Sequence, residues 1–264
     1  MKIAVCLKQV PDTEARLRVA KDGLWIDEED LPFVINESDE FALEEALRIA
    51  EQSGGEVVVF SIGPARVREA LRKALALGAA RAVHLVHAAF QGGDAIANGR
   101  ALAAAIAREG CQLALSGSQS DDVGAGATAT VAAGELGWPH AWLVMGVEIE
   151  DGGSAKVVRE MESGMNEIVR LSLPAMIEVQ AGINHPRYAS LKGIMAAKKK
   201  PIDEPTPEDL GLEPASIGAE GSRLEIVAVS FPETGAAAQM IEGEAPVAAK
   251  TLVDKLRREA KVLS

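Results

Sequence analysis

Aromatic side chains are scarce in this chain: five Phe, three Trp and one Tyr, about 3% of 264 residues. A single-stranded nucleic-acid binder stacks bases on several aromatics, and there are few here to use. Basic charge is also short, with 27 Lys and Arg against 39 Asp and Glu. The resulting net charge of −12 argues against broad contact with a phosphate backbone. There are two cysteines, Cys6 and Cys111, far apart and each in an apolar run. They read as reduced core thiols of a cytosolic-type compartment, not as a disulfide framework or a metal site. No apolar run approaches the roughly 18 residues of a membrane span. The opening MKIAVCLKQV is too short, and lacks the cleavage pattern, to be a signal peptide. The sequence therefore reads as a soluble, cytoplasmic chain (mitochondrial matrix if the source is eukaryotic). Histidine is sparse too. His84 falls in a strand and reads as a core or sheet-end residue, while His87, His140 and His185 are dispersed. H-E-x-x-H, paired Cys/His and G-x-S-x-G spacings are missing, and so is any nucleophile–base pair. A hydrolase would lack the residues that do its work, so no catalytic residue and no metal site is expected.

What the chain does have is aliphatic residues in a regular alternation. Hydrophobic residues make up 48%. Strands are expected at Ile3–Leu7, Glu56–Ser61, Arg81–Val86 and Gln112–Ser116, as near-continuous apolar runs. Helices are expected at Asn36–Ser53, with Asn36 or Ser38 as cap, at Arg66–Leu77, at Asp94–Arg108, and in a segment ending at Gly137. This alternation predicts an α/β fold, a mostly parallel doubly wound sheet with helices on both faces. From about Ala141 the pattern changes. Trp142–Ile149, Ala155–Met161, Glu167–Leu171 and Met176–Val179 read as added antiparallel strands that extend or flank the sheet. A Pro-rich stretch follows, then a short strand near Leu224–Val229, a Gly/Ala linker (Gly235–Gly243) and an amphipathic helix, Val247–Val262. That helix can cover its own sheet or pack on another subunit; pattern alone does not separate the two. The expected division is an α/β nucleotide-binding domain, 1–185, and a partner-recognition loop with an extended C-terminal arm, 186–264.

Ligands of open parallel sheets bind beyond the strand C-terminal ends. That selects Lys8–Thr13, Ser61–Pro64 and Gly117–Thr128. The last opens a helix and is rich in glycine, so its backbone N–H groups can cradle a phosphate. It matches neither standard phosphate-loop pattern, and an ordinary strand–helix loop is the competing reading. Asp121 and Asp122 could bind a metal or a ribose, or form a solvated helix cap. In Asn184–Pro201 an apolar group, Leu191, Ile194 and Met195, lies beside Lys198, Lys199 and Lys200 in what reads as an exposed loop. Charge can speed encounter while an apolar anchor contributes dwell time.

The run VVREMESGMNEIVRLSLPAMIEVQAGINHPRYASLKGIMAAKKKP, Val157–Pro201, resembles the signature of electron transfer flavoprotein β subunits. KIAVCLKQVPDTEARLRV, INESDEFALEEALR, SIGPA, GSQSDDVGAGATAT, GELGWP and DLGL fall in the order of that family. The resemblance covers essentially the whole chain. It implies a Rossmann-like, adenine-nucleotide-binding subunit of a heterodimer, an electron carrier and not an enzyme. The α subunit would hold most of an FAD, and this chain a structural AMP. Carried over, the nucleotide contacts are Cys6, Asn36, Glu37, Ser38, Asp39, Ile62, Gly117, Ser118, Gln119, Ser120, Asp121, Asp122, Val123, Gly124, Ala125, Gly126, Ala127 and Thr128. Tyr188, Leu191, Ile194 and Met195 match the loop that docks on flavoprotein dehydrogenases, with Leu191 as anchor; Glu160 matches a glutamate tied to flavin-domain motion. Electrons would come from dehydrogenases such as the acyl-CoA dehydrogenases of fatty acid β-oxidation and pass to a membrane quinone oxidoreductase or other acceptor. Thr13 and Ser38 stand where some members have Tyr and Phe. Two alternatives remain: an electron-bifurcating relative with a second FAD in place of AMP, against which Thr128 speaks, and a stand-alone adenine-nucleotide-binding regulatory module.

Overall fold

A computed structural model describes residues 1–232 and 238–263. The first half contributes β1 (Lys2–Cys6), β2 (Gln9–Pro11), β3 (Phe33–Ile35), α1 (Glu37–Ser53), β4 (Glu56–Ile62), α2 (Val67–Leu77), β5 (Arg81–Leu85), α3 (Ala95–Glu109), β6 (Leu113–Gly117) and α4 (Thr128–Leu136). The second half adds β7 (His140–Glu150), β8 (Ser154–Glu160), β9 (Asn166–Ser172), β10 (Ala175–Val179), α5 (Leu191–Ala197), β11 (Ile202–Asp203), α6 (Gly218–Gly221) and α7 (Ala245–Arg258). Nine strands form one sheet in the order β11-β5-β4-β1-β6-β10-β7-β8-β9.

The sheet is doubly wound because its strands are apolar on both sides. Ile3, Val5, Val57, Val59, Leu113 and Leu115 pack under α1 and α2. Ala4, Cys6, Val58, Phe60, Val83 and Ala114 pack under α3 and α4. From β1 the chain steps to β4 and then β5, with α1 and α2 on one face. It then crosses by α3 on the other face and returns to β6, beside β1. That reversal puts the topological switch point between the ends of β1 and β6, where ligands bind in open α/β sheets.

The later strands correct one expectation. β7, β8 and β9 pair antiparallel as a flange, but β10 does not pair antiparallel with any of them. It inserts parallel between β6 and β7. All five of its residues are buried, so it needs a strand on each side and cover on both faces. Pairing β2 with β3 makes a small separate ladder that is too short to show as a period. The strand expected at Leu224–Val229 is not there. The segment is exposed from Leu224 to Ala228, and its backbone meets a loop at Gly23 (Val229 N to Gly23 O, 2.7 Å) instead of a strand edge. The helix expected at Val247–Val262 runs from Ala245 to Arg258, with Pro246 fitting its first turn. None of its residues is buried, so it does not cover its own sheet. Of the Gly235–Gly243 linker, residues 235–237 lie outside the described residues, and 238–243 form no helix or strand. Residues past 185 still join the packed body: β11 extends the sheet at β5, and Ile217 is buried against α3. Among the described residues no helix is long and apolar enough to cross a membrane.

Candidate functional site

Asp39, in the first turn of α1, organises the switch point. It is buried, and its two carboxylate oxygens accept from different loops: Oδ2 from Lys8 N and Oδ1 from Gly117 N, each at 2.8 Å. One side chain thus ties the ends of β1 and β6. Burial pushes the Asp39 carboxyl up to about 7, against the pull of these two N–H donors. The approach is close enough to require Gly117, since a Cβ there would sit 2.0 Å from Ser38 Oγ. Asn36 holds the N-cap position of α1 but does not cap it. Its Nδ2 donates to Gln119 O and its Oδ1 accepts from Asp121 N, both at 2.9 Å. Ser38 Oγ also donates to Gln119 O, at 2.9 Å. The expected caps are therefore spent on holding the 117–128 loop, and Asp121 accepts in return from Glu37 N.

Asp122 turns the other way, to Lys8 Nζ at 2.7 Å. Burial would raise its carboxyl, but the bonds from Lys8 and Ser120 hold it below the usual range. The two aspartates have different partners, and neither caps α4, which begins at Thr128. Gly124 and Gly126 turn the loop with φ of 64° and 56°.

Cys6, Ser116 and Glu178 form a row across β1, β6 and β10, below α4. Cys6 is buried, and burial, with the Asp39 charge second, pushes its thiol far above its ordinary value; it is no nucleophile. Burial likewise raises Cys111, to about 11. Glu178 accepts from Thr130 Oγ1 at 2.9 Å and is bonded to His140 Nε2 at 2.7 Å. Ser116 Oγ is buried with no hydrogen-bond partner among the described residues. Ile62 packs toward the same side. An apolar surface (Cys6, Ile62), one orphaned hydroxyl and the N-terminus of α4 suit a nucleotide: base on the first, phosphate at the last. His84 lies elsewhere, buried on the opposite face with its Nε2 at Gly63 O, 3.0 Å.

The residues expected from the sequence to dock a partner form a second, separate group. The expected loop at 184–201 contains a short helix, α5, with Ser190 Oγ capping Gly193 N. Tyr188 is 98% exposed and Leu191 78%, and Ile194 and Met195 project beside them. The lysine triplet divides. Lys198 and Lys199 are exposed, whereas Lys200 turns inward to Leu75 O (2.9 Å) and Ala79 O (2.6 Å). Glu160 stands apart at the exposed end of β8, accepting from Gln180 Nε2 at 2.8 Å.

Residues 23–210 match the model of the electron transfer flavoprotein domain. The chain belongs to the electron transfer flavoprotein family. It is 43% identical over 246 residues to the electron transfer flavoprotein subunit beta of Methylophilus methylotrophus, covering 92% of this chain and 93% of that one. It is 37% identical over 257 residues to the same subunit of Thermoanaerobacterium thermosaccharolyticum (97% and 98% covered). With that of Mycobacterium tuberculosis it shares 39% over 232 residues (86% of each).

In this electron transfer flavoprotein chain the predicted nucleotide positions converge from four segments. Sequence reasoning missed Lys8 as a loop clamp, and also Ser116, Thr130, His140 and Glu178. Glu178 had a legible signal, a lone carboxylate inside the apolar strand AMIEV, which must find partners when buried.

Proposed function

We propose that this chain is the β subunit of a heterodimeric electron transfer flavoprotein. It accepts electrons from flavoprotein dehydrogenases such as acyl-CoA dehydrogenases. It delivers them to a membrane quinone oxidoreductase or a comparable acceptor. An AMP held by Cys6, Asn36–Asp39, Ile62 and Gly117–Thr128 serves as structural filler at the switch point. The FAD, held mainly by the α subunit, supplies the redox chemistry when bound. This chain's own residues bind, orient and exclude water; none is required as acid, base or nucleophile. The observation that carries the reading is the orphaned Ser116 hydroxyl below loops already clasped by Asp39, in a chain of this family. The uncovered α7 and the exposed apolar residues Leu224, Ile226 and Val227 support an arm that packs on the α subunit. Co-expression with an α subunit is expected to give a yellow heterodimer. A chain that purifies alone and never associates with a flavoprotein subunit would refute the proposal.

A further inference from the structure

The exposed helix α5 is seven residues long, and only Ala197 in it is buried. Helices this short do not persist on their own propensity, so tertiary contacts must hold it. The contacts are crossed caps with α2. From α2, one guanidinium nitrogen of Arg72 donates to Ala197 O, at the last residue of α5, and, at 2.7 Å, to Lys200 O in the turn that follows it. In return, Lys200 Nζ donates to Leu75 O and Ala79 O at the C-terminal end of α2. Arg72 of α2 and Lys200, three residues past α5, each bring a cation to carbonyls at the end of the other segment. Gly193 lets the backbones meet, because a Cβ there would sit 2.3 Å from Ala76 O. The segment's other end is pinned on α1, where Arg187 Nε bonds Glu44 at 2.8 Å. Tyr188 and Leu191 stand proud between the two pins.

We propose that Arg72 and Lys200 are positioning residues, which hold α5 as a preformed helix and so present the Leu191 anchor to flavoprotein dehydrogenases without a folding step on docking. The inference rests on the docking reading given under Proposed function. Preorganisation lowers the ordering cost of association. Lys200 is thus distinct in role from Lys198 and Lys199, which face outward.

The test uses the heterodimer with a dehydrogenase that the unaltered heterodimer turns over. Arg72→Met and Lys200→Met should each raise KM for the heterodimer roughly 2- to 10-fold, with kcat and flavin content unchanged. Arg72→Lys and Lys200→Arg should recover part of the loss. Amide hydrogen exchange in α5 should speed up in both methionine variants. Gly193→Ala, which pushes α5 off α2 from the other side, should reproduce both effects if an α2 variant fails to fold. Unchanged exchange, or unchanged KM in variants where Leu191→Ala still raises it, would overturn the positioning role and leave docking intact. Faster exchange with no KM effect from Leu191→Ala would sink the docking reading and, with it, the functional meaning of the clasp.

Discussion

Replacing Asp39 by Ala tests whether burial or hydrogen bonding decides the state of the switch-point clasp. The substitution leaves the N–H groups of Lys8 and Gly117 without their acceptor. Each buried, unsatisfied donor costs about 1–3 kcal/mol, so the loss at low pH is about 2–6 kcal/mol. The pH dependence works in the opposite sense. Burial lifts the folded value from 3.8 to about 7. Because the folded value lies above the unfolded one, the stability from this group is fully present below about pH 4. It is lost as pH rises through about 7. A rise of that size corresponds to about 4 kcal/mol, so the native protein loses that much from this group by pH 8 and the alanine variant loses none. The penalty of Asp39→Ala should therefore shrink between pH 5 and pH 8. Urea unfolding of both proteins at four pH values over this range would measure it. A penalty that grows with pH would show that the ionised carboxylate is the stabilising form and that its donors outweigh burial.

Leu191→Ala should cut kcat/KM for a dehydrogenase partner roughly 10- to 100-fold, the equivalent of about 1.5–3 kcal/mol of lost anchor burial, with unchanged flavin absorbance. Gly117→Ala should destabilise the protein by at least about 1–3 kcal/mol, read as a lower urea midpoint, because a Cβ would collide with Ser38 and Asp39. Glu178→Met should cost about 1–3 kcal/mol and loosen nucleotide retention during gel filtration, because Thr130 in the first turn of α4 loses its acceptor.

The parallel part of the fold was legible because its strands are buried on both faces and its helices begin and end on ordinary signals, such as the Asp94 cap of α3. The placement of β10 was not. AMIEV looks the same whether its neighbours run parallel or antiparallel, and only the chain path decides that. Leu224–Val229 has strand composition, but a strand also needs a free edge beside it. The loops that meet at the switch point were legible from the ends of the strands. What lay beyond reach was long-range: the side chains of Asn36 and Ser38 serve a loop some 80 residues away instead of their own helix. The inward turn of Lys200 was hidden for a similar reason, since three consecutive lysines look alike until α2 is packed against one of them.

The central claim is that the switch point of this chain holds a structural AMP while a partner subunit holds the flavin. Denaturing the purified heterodimer and quantifying the released nucleotides tests it most directly. The account predicts one AMP and one FAD per heterodimer. Two FAD with no AMP would contradict it in favour of a bifurcating relative, and ATP that turns over would contradict it in favour of a regulatory nucleotide-binding module.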